Sequence, residues 1–179
     1  MTTGVGARWA LMHSLILFAM LAAQTTDLLA PHGEKGEVLF FVRTDCPISN
    51  RYAPEIERIY KEYRQRGFDV HLVYSEPGLQ ADGIETHRRD YHLSAPAVTD
   101  PHHHYIALGH IRTTPAAAVF VKGHLVYDGR IDNRFVSFSK SRTAGIEHDL
   151  TDVLDAIEVG KTPAFRETTA IGCAVEEVQ

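Results

Sequence analysis

The chain of 179 residues carries two cysteines, Cys46 and Cys173, and the first sits where thiol chemistry is physically favoured. It lies in Phe40-Phe41-Val42-Arg43-Thr44-Asp45-Cys46-Pro47-Ile48-Ser49-Asn50, an apolar strand-like run that passes straight into a helical pattern. A cysteine at a strand-to-helix junction meets the free N–H groups of the first helical turn, where the helix dipole also favours negative charge. Both effects stabilise the thiolate, which is the nucleophile. The competing reading is a buried structural cysteine, since free Cys is among the most buried residue types. The junction favours chemistry, and Cys46 is the nucleophile candidate. An attacking thiol that ends as a disulfide or sulfenic acid needs a second thiol to complete a cycle. Within the chain only Cys173 can serve, and the flexible Gly172 beside it suits a tail that folds back.

Other residues near this stretch have chemical options. Arg43 and Arg112 are candidate thiolate stabilisers, against the plainer reading of solvated surface charges. Ser49 can donate a hydrogen bond to the sulfur or simply stabilise the helix start. The chain holds 11 histidines, and His102-His103-His104 with His110 raises a metal reading. Three adjacent residues on a helix do not face one way, so a solvent-exposed face is favoured and no metal is assigned. The basic stretch with Arg130, Arg134, Lys140 and Arg142 could bind an anion, cover the site or pair with acidic groups. No phosphate-binding glycine loop, His-Glu-x-x-His or Gly-x-Ser-x-Gly motif occurs, and no cofactor is expected.

The elements that must position these groups follow from periodicity. Residues 37–42 form a continuous apolar, β-forming run suited to a central strand covered on both faces. Residues 50–66 repeat Tyr52, Ile56, Ile59 and Tyr63 at helical spacing, and Gly67 closes the pattern. Pro54 is awkward inside a helix that starts near Cys46, so the helix is either kinked there or begins there. Residues 68–74 read as a second strand. Residues 79–91 read as a helix with Ile84, His87 and Tyr91 inward. A short strand at 97–99 and a helix at 102–108 follow. Pro115 cannot sit inside a central ladder, so it opens the strand of residues 116–121. Lys122-Gly123-His124 turns into a return strand at 125–127. The long loop 128–145 is either functional or packed over something. A last helix spans 148–159, with Leu150, Val153, Leu154 and Ile157 inward. Strands and helices in this order imply an α/β domain with a mixed sheet and helices on both faces.

Composition narrows the function classes. With 44% hydrophobic residues the chain suits one well-packed domain. A formal charge of −5 and two cysteines argue against a nucleic-acid partner and against a disulfide scaffold. Residues 1–24 read as a signal peptide: Arg8 supplies the positive start, and Trp9 to Ala23 is apolar but for His13 and Ser14. The run is too short for a confident membrane span, and Leu21 makes the cleavage site imperfect. Export to a periplasmic or extracellular space is expected, with a retained N-terminal anchor as the alternative. Such a space permits disulfides.

Cys46 and Pro115 together resemble the thioredoxin-like superfamily, in which a reactive cysteine caps the first core helix and a cis-proline begins the facing strand. A helix-kinking proline eight residues after the cysteine matches as Pro54. The turn Ile111-Arg112-Thr113-Thr114-Pro115 and the phrase Phe120-Val121-Lys122-Gly123 match the family's approach to its last hairpin. About 25 extra residues, 79–101, resemble the insertion of exported redoxins and of the AhpC/TSA group. The phrases from Asp45 to Tyr52 and from Gly129 to Phe135, with a terminal Gly172-Cys173, resemble a redoxin-type bacterial subgroup. The resemblance covers residues 35–160 and implies a thioredoxin-like domain there, with residues 161–179 as a tail carrying Cys173. It implies a central mixed sheet with helices on both faces and an insertion before the cis-proline strand. It also implies that Pro47, Ser49, Thr114 and Pro115 shape the site, with Thr114 offering backbone groups to an extended substrate.

The departures from that pattern are specific. Ser49 stands where a dithiol enzyme carries its second cysteine, so no local disulfide can close. Asp45 replaces an aromatic residue and would oppose thiolate formation. Phe40 stands where a buried acid relays protons. Arg43 occupies the threonine position of a Thr-x-x-Cys peroxidase signature, with Thr44 one place late. The reading is a thiol–disulfide oxidoreductase-like protein acting on protein or small-molecule thiols and disulfides. The alternatives are a peroxidase acting on peroxide, and a non-enzymatic binding or metal-handling module.

Overall fold

A computed structural model describes residues 34–176, so the expected signal peptide lies outside the described residues. Strand β1 (Gly36–Val42) is buried at all seven positions, because both of its faces are covered. Val38, Phe40 and Val42 enter one apolar cluster, while Leu39 and Phe41 enter another on the opposite face. Along its full length β1 pairs in parallel with β2 (Phe68–Tyr74). On its other edge it pairs antiparallel with β5 (Ala116–Val121). The outer strands β3 (Ala97–Thr99), β6 (His124–Gly129) and β7 (Arg166–Glu167) complete the order β3-β2-β1-β5-β6-β7. Lys122 and Gly123 both take positive φ, 52° and 77°, which suits the tight turn between β5 and β6.

Helix α1 (Pro47–Gln65) continues through Pro54 and does not begin there. Its stripe Ile48, Tyr52, Ile56, Ile59 and Tyr63 shares the first cluster with Leu150, Val153, Leu154 and Ile157 of α4 (Asp149–Glu158). Helix α2 (Ala81–Asp90) adds Ile84 to that cluster. Helix α3 (His104–Leu108) covers the other face through Ile106, against Leu39, Phe41, Val73 and Phe120. Helices therefore lie on both faces of a mixed sheet. The extra segment before the proline strand builds α2 and β3.

Several local expectations change. Tyr91 is 37% exposed, not inward, because it lies just past the end of α2. The third helix starts at His104, where the Asp100 carboxylate accepts the N–H groups of His104 (2.7 Å) and Ile106 (2.9 Å). Pro115 separates the two-residue strand β4 (Thr113–Thr114) from β5. Residues of the long loop after β6 pack over the start of α1. Phe135 meets Tyr52 edge-on at 4.9 Å, and the Tyr52 hydroxyl donates to Asp132 at 2.5 Å. Two basic residues of this loop pair with acids, Arg130 with Asp149 (2.6 Å) and Glu147 (2.7 Å) and Arg134 with Asp132 (3.2 Å), while Arg142 donates to the Asn133 carbonyl at 3.2 Å.

The segment after α4 is bound to the domain at two places. At the first, β7 extends the sheet beside β6, and the Thr168 N–H donates to the Asp128 carbonyl at 3.0 Å. Gly129, at φ +130°, lies against Thr168; a Cβ there would fall on the Thr168 carbonyl. At the second, β8 (Cys173–Ala174) pairs antiparallel with β4, with Thr114 opposite Cys173 and Thr113 opposite Ala174.

Candidate functional site

The strand-to-helix junction behaves as its sequence suggests. Cys46 is the N-cap of α1 in an extended conformation, and Pro47 takes the first helical position, where a missing N–H costs nothing. The Cys46 thiol is fully buried and donates to the Thr114 carbonyl at 3.3 Å. The Thr114–Pro115 peptide bond is cis. Thr114 is itself fully buried, and its hydroxyl donates to the Cys173 carbonyl at 3.5 Å. One residue therefore touches both cysteines. Each is a free thiol, and Cys173 lies within hydrogen-bonding reach of Cys46.

The two thiols are electrostatically unequal. Burial pushes the Cys46 thiol up, but the Cys173 thiol and the Ser49 N–H and hydroxyl, with the Cys173 N–H, outweigh it. The net result is a Cys46 thiol below the ordinary value. Cys173 moves the other way, pushed up to about 12 by burial and by its role as donor to Cys46. Of the two thiols, Cys46 is therefore the one that gives up its proton more readily. Removing the Ser49 hydroxyl should raise the Cys46 value. Ultraviolet titration of thiolate absorbance in Ser49→Ala on a Cys173→Ser background tests this, and an unshifted midpoint against that background would refute the role.

Arg43 does not reach for the sulfur. Its guanidinium donates to both Asp45 oxygens, at 3.0 and 3.1 Å, and to Glu176 of the tail at 2.9 Å. Asp45 is held below the ordinary carboxylate range mainly by that contact, so its charge is compensated where the sequence suggested opposition to the thiolate. Arg43 lowers the Cys173 thiol by its charge, against the larger raising effects. Arg112 instead lines a cleft of about 210 Å³ with His110 and Asp128, while its carbonyl accepts the Val175 N–H at 3.0 Å. The structure therefore brings together Cys46, Ser49, Thr114, Pro115 and Cys173, and places Arg43 at the rim.

A half-buried polar chain, not singled out in the sequence, fixes the turn before Cys46. Glu76 accepts both the Thr44 N–H (2.8 Å) and hydroxyl (2.5 Å), and the Asn50 amide donates to the Thr44 carbonyl at 3.1 Å. The Asn50 oxygen faces His87 Nε2 at 2.9 Å, and His87 Nδ1 faces the Tyr74 hydroxyl at 2.8 Å. The Asn50 oxygen suits an Nε2–H donor, and burial holds the His87 pKa below the ordinary value. The inward periodicity of His87 in its helix was the one sequence signal of this chain. His103 faces the Ser75 carbonyl at 3.2 Å, and among the described residues no group of three or more His, Cys, Asp or Glu is placed to hold a metal.

No family model matches the chain, and no curated protein does. Among solved structures, it is similar to an uncharacterized conserved protein from Geobacillus kaustophilus at 18% identity. That match covers 80% of this chain and 77% of the other, with a TM-score of 0.65. A hypothetical protein from Sinorhizobium meliloti matches at 18% identity over 79% of each chain, with a TM-score of 0.64. A thioredoxin-like protein in its oxidised form matches at 17% identity over 72% of this chain and 81% of the other, with a TM-score of 0.52. At these identities the likeness shows the fold alone. The fold is thioredoxin-like.

Proposed function

We propose that this chain is an exported, redoxin-type thiol–disulfide oxidoreductase in which Cys46 attacks and Cys173 resolves. The observation that carries the reading is the β-register of Cys173 with Thr114, beside the buried Cys46 thiol. The Cys46 thiolate attacks one sulfur of a substrate disulfide, forming a mixed disulfide and releasing the other sulfur as a thiolate. Cys46 then no longer carries charge, so two of the causes that hold the Cys173 proton, the hydrogen bond to Cys46 and its charge, weaken, while the Arg43 charge still favours the Cys173 thiolate. Cys173 attacks the Cys46 sulfur, expelling the second substrate thiolate and leaving the Cys46–Cys173 disulfide. Two electrons have passed to the substrate, and an external thiol reductant restores the pair. Run in reverse, the same steps oxidise a dithiol.

This division of labour supplies what Ser49 denies to the helix start. The second thiol comes from the tail, not from the next turn. The composition of residues 1–24 supports export, and among the described residues no helix is long and apolar enough to cross a membrane. The peroxidase reading is less well supported, because Arg43 is engaged by Asp45 and Glu176 and does not face the sulfur. The test is turnover of a fluorescent peptide disulfide with a thiol reductant. Catalysis that vanishes in Cys46→Ser is expected. Absent disulfide turnover, together with stoichiometric hydrogen peroxide loss and a Cys46 sulfenic acid, would overturn it in favour of the peroxidase.

A further inference from the structure

The tail does more than carry a thiol. Residues 173–174 occupy the hydrogen-bonding edge of β4, with Thr114 opposite Cys173 and the Val175 N–H donating to the Arg112 carbonyl at 3.0 Å. Ile171 and Cys173 pack against one core cluster, and Ala170 and Val175 against the other. Glu176 then pairs with Arg43 at the far side of the Cys46 turn. The strand is thus held by a ladder, by apolar contacts on both sides and by a terminal ion pair. Beneath it the Cys46 side chain has no exposed surface, and neither has Thr114.

We propose that residues 171–176 are a resident strand that closes Cys46, and that external substrates gain the site by strand exchange on β4. The proposal rests on Cys46 as the attacking thiol but concerns access to it, which is measurable without turnover. An exposed β-edge accepts one strand at a time. A substrate segment paired with Thr113–Thr114 and the tail cannot be there together. The mixed disulfide therefore forms with the tail displaced. The tail then returns as the substrate strand leaves, bringing Cys173 to the Cys46 sulfur. Reduced protein with its tail docked is closed to polypeptide disulfides, and the two half-reactions alternate with two occupants of one edge.

Gly172 supplies the test. Its approach to β4 is so close that a Cβ would fall on the Thr114 carbonyl and lie 3.1 Å from the Pro115 ring. Backbone cannot yield there as a flexible side chain would, so Gly172→Val should dislodge the strand while keeping Cys173. In the reduced full-length protein, with the rate taken on its high-pH plateau so that thiolate fraction does not enter, we expect the alkylation rate of Cys46 by iodoacetamide to rise at least about tenfold. Far-ultraviolet circular dichroism and the unfolding transition should remain close to those of the unmodified chain. An unchanged Cys46 rate in folded Gly172→Val overturns the proposal. Should that variant fail to fold, Glu176→Lys decides: it turns the Arg43 ion pair into a repulsion at the exposed rim. A severalfold faster Cys46 alkylation then supports the closed strand, and an unchanged rate overturns it. If Cys46 is opened by either variant yet the opened thiol forms no mixed disulfide with a peptide disulfide, the strand stands and the oxidoreductase reading fails.

Discussion

Replacing Cys173 with serine should stop the cycle at the mixed disulfide and lower steady-state turnover by roughly two orders of magnitude. Two changes combine in this variant. The first is loss of the second thiol, which has no substitute at position 49 because Ser49 cannot form a disulfide. The second is loss of the thiol that donates to Cys46, after which burial weighs more heavily and the Cys46 pKa rises. At neutral pH the first attack should slow as the thiolate fraction falls, whereas well above the new pKa it should recover. The mixed disulfide should nevertheless accumulate, detectable as protein mass plus one substrate fragment. Turnover close to that of the unmodified chain, with no trapped adduct, would show that Cys46 is resolved by an external thiol.

Replacing Asp149 with asparagine should cost about 3 kcal/mol of stability, the low end for breaking a buried ion pair. Asp149 is fully buried at the start of α4, and its two oxygens receive Arg130 and Arg166. One carboxylate thus joins the helix, the loop after β6 and the strand β7 that anchors the tail. Its position in the first helical turn adds a favourable interaction with the helix dipole. The low end applies because both arginines are partly exposed and regain water when the acid is lost. The unfolding midpoint should fall by about 6 to 12 °C. A fall of less than about 2 °C would mean that the arginines stabilise the anchor without the acid.

Much of this fold could be read from residue patterns. The run 38–42 is apolar at every position because both faces of β1 are covered. The stripe from Ile48 to Tyr63 reports the one buried face of α1. Cys46, Pro54 and Pro115 lie where the thioredoxin resemblance implied, and the proline bond is cis. The paired strands β4 and β8 were hidden because two-residue ladders have no periodicity to recognise. Their partners lie 59 residues apart at Thr114 and Cys173. The role of Gly172 was hidden for a related reason: alone it reads as flexibility, but against Thr114 it is a requirement for close approach. The Glu76–Thr44–Asn50–His87–Tyr74 chain joins β2, α2 and the junction, so no local spacing reveals it. Arg43 illustrates the opposite case. Its type suggested a partner for the sulfur, yet two carboxylates compete for it and win.

These residues make one claim: the thiol missing from position 49 is delivered by the tail to a nucleophile at position 46. Intact mass spectrometry of the full chain, oxidised by a peptide disulfide under native conditions, tests it directly. The oxidised monomer should be about 2 Da lighter, resist alkylation at both cysteines and yield one linked peptide pair containing Cys46 and Cys173. Recovery of the monomer with both cysteines alkylated, or with Cys46 linked only to substrate or to a second chain, would contradict the account.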